Sequence, residues 1–220
     1  MNYMKWWLPI LLFILITPFT PYLDLGITQY FYHLGGNKFI SNDLTAFFYD
    51  YGVLVGDIFI LVAILLYGLS FFKSSLKNWR KPALVYLLTL AVGGGVIVHA
   101  ILKDHWGRPR PKQVIEFGGQ QEFRPFYKPN FFDQPEPSKS FTCGHCVMGF
   151  CFFAFIVSGR RMRNKPLEYL GWFLTLSLGL SLSLVRMAQG GHFFSDVIAS
   201  ALVMWLTAIT FDWLLYPEKG

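Results

Sequence analysis

The sequence predicts an all-α, polytopic membrane protein with about six transmembrane helices, and three observations predict it. The 220 residues are 54% hydrophobic and only 15% charged, less charge than a soluble domain of this length carries. Apolar runs of about 17 to 22 residues recur along the chain, each long enough to cross a bilayer as a helix. The basic residues fall in short clusters between those runs. No sustained alternation of apolar and polar residues, as a membrane barrel needs, repeats along the chain.

Spans are expected at about 6–22, 51–72, 82–102, 142–158, 168–187 and 196–215, from run length and periodicity. The first follows Met1-Asn-Tyr-Met-Lys-Trp-Trp, is long, and lacks a small-x-small cleavage site, so it reads as an uncleaved helix. Pro18 and Pro21 are expected to close it. Residues 23–50 read as an outer connection, broken by Gly35-Gly36-Asn37 and Ser41-Asn42-Asp43. The whole chain, 1–220, reads as one membrane domain.

The net charge of +6 does not point to nucleic acid, because the charges sit in short clusters between the apolar runs. Lys73, Lys77, Arg80 and Lys81 lie between the second and third spans. Arg160, Arg161, Arg163 and Lys165 lie between the fourth and fifth. Such clusters hold their loops in the cytoplasm. Both termini then face the cytoplasm, and residues 103–141 and 187–195 lie together on the far side. Within that loop, 112–139 is rich in Phe, Pro and Gly. It reads either as a lid over a site or as an interfacial anchor through Phe117, Phe123, Phe126, Tyr127, Phe131 and Phe132.

Three patches at outer span ends carry unusual charge. Lys103-Asp-His-Trp-Gly-Arg-Pro-Arg110-Pro111 leaves the third span. Phe141-Thr-Cys-Gly-His145 enters the fourth. Arg186-Met-Ala-Gln-Gly-Gly-His192-Phe-Phe-Ser-Asp196 joins the fifth to the sixth. Cations gathered at a membrane edge are costly unless an anion offsets them. Arginine donors match phosphate oxygens, so Lys103, Arg110 and Arg186 read as phosphate ligands, with His105 and Arg108 as possible additional contacts. Helix starts near Gly144 and Gly191 would add backbone N–H groups.

His192 and Asp196 are spaced i, i+4 and share a helix face. A carboxylate on one imidazole nitrogen fixes the tautomer and leaves the other free as nucleophile or base. His145, from another helix start, is placed to protonate a leaving alcohol. These are the parts phosphoryl transfer needs. No carboxylate cluster points to a bound Mg²⁺, and no cofactor is expected.

The pattern Lys-x6-Arg-Pro from Lys103 to Pro111, Gly144-His145, and Arg-x5-His-x3-Asp from Arg186 to Asp196 resembles the type 2 phosphatidic acid phosphatase superfamily. The resemblance implies a metal-independent phosphatase with a phosphohistidine intermediate. His192 would be the nucleophile, Asp196 its orienting partner and His145 the general acid. Lys103, Arg110, Arg186 and the Gly144 backbone would hold the phosphoryl group. Cys143 stands where the family usually has a phosphate-binding serine, and is a poorer donor. Val185 replaces a second serine. The fuller strings are most similar to bacterial lipid A phosphatases of the 4′ type. That implies a lipid A or phospholipid substrate in a bacterial inner membrane, with the site facing the periplasm. Polyprenyl pyrophosphate and phosphatidylglycerophosphate are the alternative substrates, and transfer to a lipid acceptor is the alternative reaction.

Two other classes compete. Cys143-Gly-His-Cys146 spells a thiol–disulfide motif, but no thioredoxin-like βαβ pattern surrounds it. With Cys151 the cysteines are odd in number and clustered, which is not expected of a disulfide framework. Asp57 and His99 lie within spans, as in a conduction path, but they are only two and scattered.

Overall fold

The computed structural model describes residues 7–132 and 138–216. Trp6, at the start of the expected first span, and residues 133–137 of the outer loop lie outside them. The described chain is helical, with no strand beyond two isolated bridges, Arg108 to Lys139 and Val114 to Gln121.

Helix α1 (Trp7–Ile16) does not end at the prolines. A single 3₁₀ turn, Thr17–Phe19, carries Pro18 and leads into α2 (Thr20–Leu34). Pro21 falls in the first turn of α2, where its missing N–H would have had no intrahelical acceptor. The segment expected as an irregular connection is also largely helical. After α2 comes α3 (Asp43–Tyr51), opened by a reciprocal cap between Asn42 and Thr45, and α4 (Leu54–Leu69) follows directly.

Helix α5 (Arg80–Leu88) continues in wider π turns over Thr89–Lys103. A Cβ on Gly94 would come within 2.8 Å of Val147, so glycine lets this segment pack against the next helix. The expected fourth span is two pieces, α6 (Gly144–Phe150) and α7 (Phe153–Arg161), interrupted at Cys151–Phe152. Helix α8 (Lys165–Leu174) passes through a π turn, Thr175–Gly179, into α9 (Leu180–Ala188), and α10 (Phe194–Leu215) closes the bundle. Among the described residues, five continuous helical stretches are long and apolar enough to cross a membrane. The broken α6–α7 pair supplies the remaining expected segment.

Val147, Cys151, Phe152, Tyr86 and Met204 pack in the centre. The outer faces are apolar as well: Leu12, Leu61, Phe173 and Leu184 are all more than half exposed. A helix apolar all round belongs in lipid, and the chain is a multi-pass membrane protein.

The two basic clusters meet at one end. Arg161 pairs with Asp212 at 2.7 Å, and Arg161 and Lys81 both lie over the Tyr216 ring. Lys103 lies at the other end of the helix that begins at Arg80, roughly 30 Å away.

Candidate active site

At the Lys103 end the outer loop folds back over the bundle. Phe117 and Val114 pack with Phe193, and Phe126 stacks on Phe141 beside Trp106. Tyr127, Phe131 and Phe132 point outward. The loop is therefore neither a free lid nor a simple anchor. Part of its aromatic content is core.

Arg108 organises this end, and it does so from inside. It is fully buried, donating from Nη2 to Asp24 Oδ2 at 2.7 Å and from Nη1 to Asp196 Oδ1 at 2.5 Å. Its Nη1 also reaches Ser195 Oγ at 2.8 Å and its Nε reaches the Arg124 carbonyl at 2.9 Å. A buried guanidinium needs this degree of pairing. The expectation that Arg108 touches substrate is corrected: its donors are engaged within the fold. His105 is exposed two residues beyond Lys103, with Nδ1 3.1 Å from the Ile101 carbonyl, and lines neither of the two cavities at this end.

His192 lies in the link before α10 and is 1% exposed. Its Nδ1 is 2.6 Å from the Ser140 carbonyl oxygen and 3.7 Å from Asp196 Oδ2. The orienting contact is thus a backbone carbonyl. Asp196 acts one step back: its Oδ2 accepts from Ser140 Oγ at 2.6 Å and from the Phe193 N–H at 2.8 Å. With Nδ1–H donated to Ser140, the proton-free nitrogen is Nε2. Burial pulls the His192 imidazole down to about 4. Asp196 opposes that shift, and the positive field of Arg186 and Lys103 adds to it. The ring is therefore neutral at pH 7.

Gly144 is the first residue of α6 and His145 the second. A Cβ on Gly144 would lie 2.7 Å from His99 and 3.0 Å from Lys103 Nζ. Glycine thus lets the lysine reach the helix start. Gly191, by contrast, precedes α10 by three residues and donates its N–H to the Arg186 carbonyl. It opens no helix. Its own role is steric, since a Cβ there would meet Arg186 Nη2 at 2.4 Å.

Cys143 is bonded to Cys146 as a disulfide across the α6 N-terminus. This corrects two expectations. The cysteines do form a bridge, and Cys143 has no thiol hydrogen to offer a phosphate. Its sulfur instead accepts from the Cys146 N–H at 3.3 Å.

Among the described residues, no carboxylate pairs with Lys103, Arg110 or Arg186. The Nε atoms of Arg110 and Arg186 are buried without a partner, a costly arrangement that an anion would relieve. Lys103, Arg186, His192 and His99 all act electrostatically on His145. Two cavities meet these groups. One, of about 570 Å³, is an apolar groove running from Lys103 and His145 past Gly95, Ala91 and Leu90 to Leu87 and Ile60. The other, of about 380 Å³, is a polar basin lined by Arg110, Lys112, Arg186, Gln189 and Tyr49. A pair like this suits an amphiphile, with an anionic head in the basin and chains in the groove.

Asp24, Ser140, Tyr49 and Gln189 join the site without having been expected. Asp24 carried a signal, as a carboxylate inside an apolar stretch on the buried stripe Thr20, Asp24, Thr28. The others carried none.

A model of the PAP2 superfamily matches residues 82–218. The chain is 31% identical to a lipid A 4′-phosphatase of Francisella tularensis subsp. novicida, over 90% of this chain and 89% of that protein. It is 29% identical to a lipid A 4′-phosphatase of Rhizobium leguminosarum, over 57% of this chain and 49% of the relative. To one of Rhizobium etli it is 28% identical, over 57% of this chain and 45% of the relative. No solved structure matches the chain.

Proposed function

The chain belongs to the PAP2 superfamily, and we propose that it is a membrane lipid phosphatase that removes a phosphate monoester from lipid A through a phosphohistidine intermediate. The observation that carries this reading is the set of three cations, Lys103, Arg110 and Arg186, with no carboxylate partner among the described residues, spread over a polar basin and the mouth of an apolar groove that His145 also lines. The relatives' names supply the choice of lipid A.

In this reading the acyl chains lie along the groove and the phosphate meets the cations and the Gly144 N–H. The His192 Nε2 lone pair attacks phosphorus. A P–N bond forms as the bond from phosphorus to the sugar oxygen breaks, and His145 gives that oxygen its proton. Water then attacks the phosphohistidine, His145 takes a proton from it, and phosphate leaves with neutral His192 restored. The three cations balance charge on the non-bridging oxygens, and no metal ion enters the scheme. The protein resides in a bacterial inner membrane. The basic clusters of the opposite end face the cytoplasm, which turns the site toward the periplasm.

The test is phosphate release from lipid A, phosphatidylglycerophosphate and undecaprenyl pyrophosphate by purified wild type and His192→Ala. Wild type is expected to prefer lipid A and His192→Ala to lose turnover. Equal activity of the two proteins overturns the mechanism, and a preference for another lipid overturns the substrate. An EDTA loss restored by Mg²⁺ would remove the metal-free scheme.

A further inference from the structure

We propose that Tyr49, on α3, is a positioning residue that sets the orientation of His145 and Arg186 together. The proposal rests on the lipid phosphatase reading above. Tyr49 lies outside the stretch that the family model matches, and none of the three charged patches contains it.

The geometry is specific. The Tyr49 ring stacks on the His145 imidazole, with centroids 4.4 Å apart and planes 24° from parallel. The guanidinium carbon of Arg186 lies 4.8 Å from the centroid of the same ring. Aromatic stacking fixes the plane of an imidazole. A π face holds a guanidinium while leaving its N–H edge free for a phosphate. One side chain thus sets the general acid and a phosphate ligand at a constant separation.

Helix α3 is itself tied to the site. Arg186 Nη1 donates to Gln189 Oε1 at 2.7 Å, and Gln189 Nε2 donates to the Thr45 carbonyl at 3.3 Å, one turn before Tyr49. The Ile40 N–H donates to the Ala188 carbonyl at 3.0 Å. Gly190 permits this approach, because a Cβ there would fall 2.6 Å from the Phe39 ring. Segment 39–49 and the α9 end are therefore joined at one corner, with the partly exposed Tyr49 ring as the contact to His145 and Arg186. The phenol hydroxyl is not part of the device, which works through the ring.

The experiment compares Tyr49→Phe, Tyr49→Leu and Tyr49→Ala on lipid A and on p-nitrophenyl phosphate, with thermal unfolding recorded for each. The second substrate has a leaving group that departs without a proton, so its phosphoryl transfer to His192 does not need the acid role of His145, and only the later hydrolysis does. Tyr49→Phe is expected to stay within about twofold of wild type on both. Tyr49→Leu fills the space without a π face. It should lose about tenfold or more in kcat on lipid A, within the range general acid catalysis supplies, and about threefold on p-nitrophenyl phosphate. Tyr49→Ala should lose at least as much. Equal losses on both substrates, or wild-type turnover in Tyr49→Leu, overturn the proposal. Failure of Tyr49→Phe to rescue does so as well. Should His192→Ala keep turnover in the same assay, the phosphatase reading fails instead, independently of Tyr49.

Discussion

The Nδ1 atom of His192 lies 2.6 Å from the carbonyl oxygen of Ser140, while the Asp196 carboxylate stands 3.7 Å off. The proton on Nδ1 is thus fixed by backbone, and Asp196 secures that backbone through the Ser140 hydroxyl and the Phe193 N–H. Removing the Ser140 hydroxyl leaves the carbonyl in place. Ser140→Ala is expected to lower kcat by less than about tenfold, the loss of one hydrogen bond. Asp196→Ala strips three contacts and leaves Arg108 with Asp24 as its remaining carboxylate. It should unfold at markedly lower temperature and lose turnover. Thermal melts and phosphate release on both variants check this, and equal behaviour would contradict it.

Arg108 and Arg110 are expected to fail in different ways. Arg108→Met leaves Asp24 and Asp196 buried without their counter-charge, at a cost of about 3–5 kcal/mol. Arg110→Met removes a cation that has no carboxylate partner among the described residues. It should keep its unfolding midpoint and weaken phosphate binding, read as a raised inhibition constant for inorganic phosphate. The reverse pattern would return Arg108 to the substrate.

The pH dependence follows from His192. Its imidazole stands at about 4 in the fold against 6.5 when free. Above pH 6.5 both folded and unfolded chains hold it neutral, and it contributes nothing. Between about 6.5 and 4 the unfolded chain takes up a proton that the folded one refuses. Stability therefore falls through that window, by up to about 3 kcal/mol. Wild type is expected to lose more of its melting temperature than His192→Gln between pH 7 and 5. The acid limb of kcat/KM, corrected for substrate titration, should lie well below 6.5.

The disulfide separates the phosphatase from a thiol oxidoreductase. Cys146→Ser is expected to keep most phosphatase turnover and to lose at most about 2 kcal/mol of stability, the value for so short a loop. A thiol oxidoreductase would lose its activity in the same variant, so a disulfide-exchange activity that vanishes with Cys146 would favour the redox reading.

These residues also show how far the sequence carries. Run length located the spans because lipid demands about 20 apolar residues per crossing, and the edge cations stood out because charge there is costly. Pro18 and Pro21 misled because a proline in a first helical turn breaks no hydrogen bond. Arg108 misled because spacing cannot distinguish a cation that meets substrate from one that meets a carboxylate 84 residues earlier in the chain. Tyr49 was invisible, since an aromatic in an apolar segment has many uses and only the fold brings it against His145. Cys143 was read as a substitute for serine, and its bridge to Cys146 was not expected because three clustered cysteines with no βαβ pattern around them do not point to one.

The central claim is that His192 carries the phosphoryl group. The direct measurement is rapid acid-free quenching of the purified protein during turnover of ³²P-labelled lipid A, followed by peptide mapping. The expected result is an acid-labile, base-stable label on His192, absent from His192→Ala and, once formed, decaying more slowly in His145→Ala. Label on another residue, or full turnover with no covalent label at the shortest times and in His145→Ala, would contradict it.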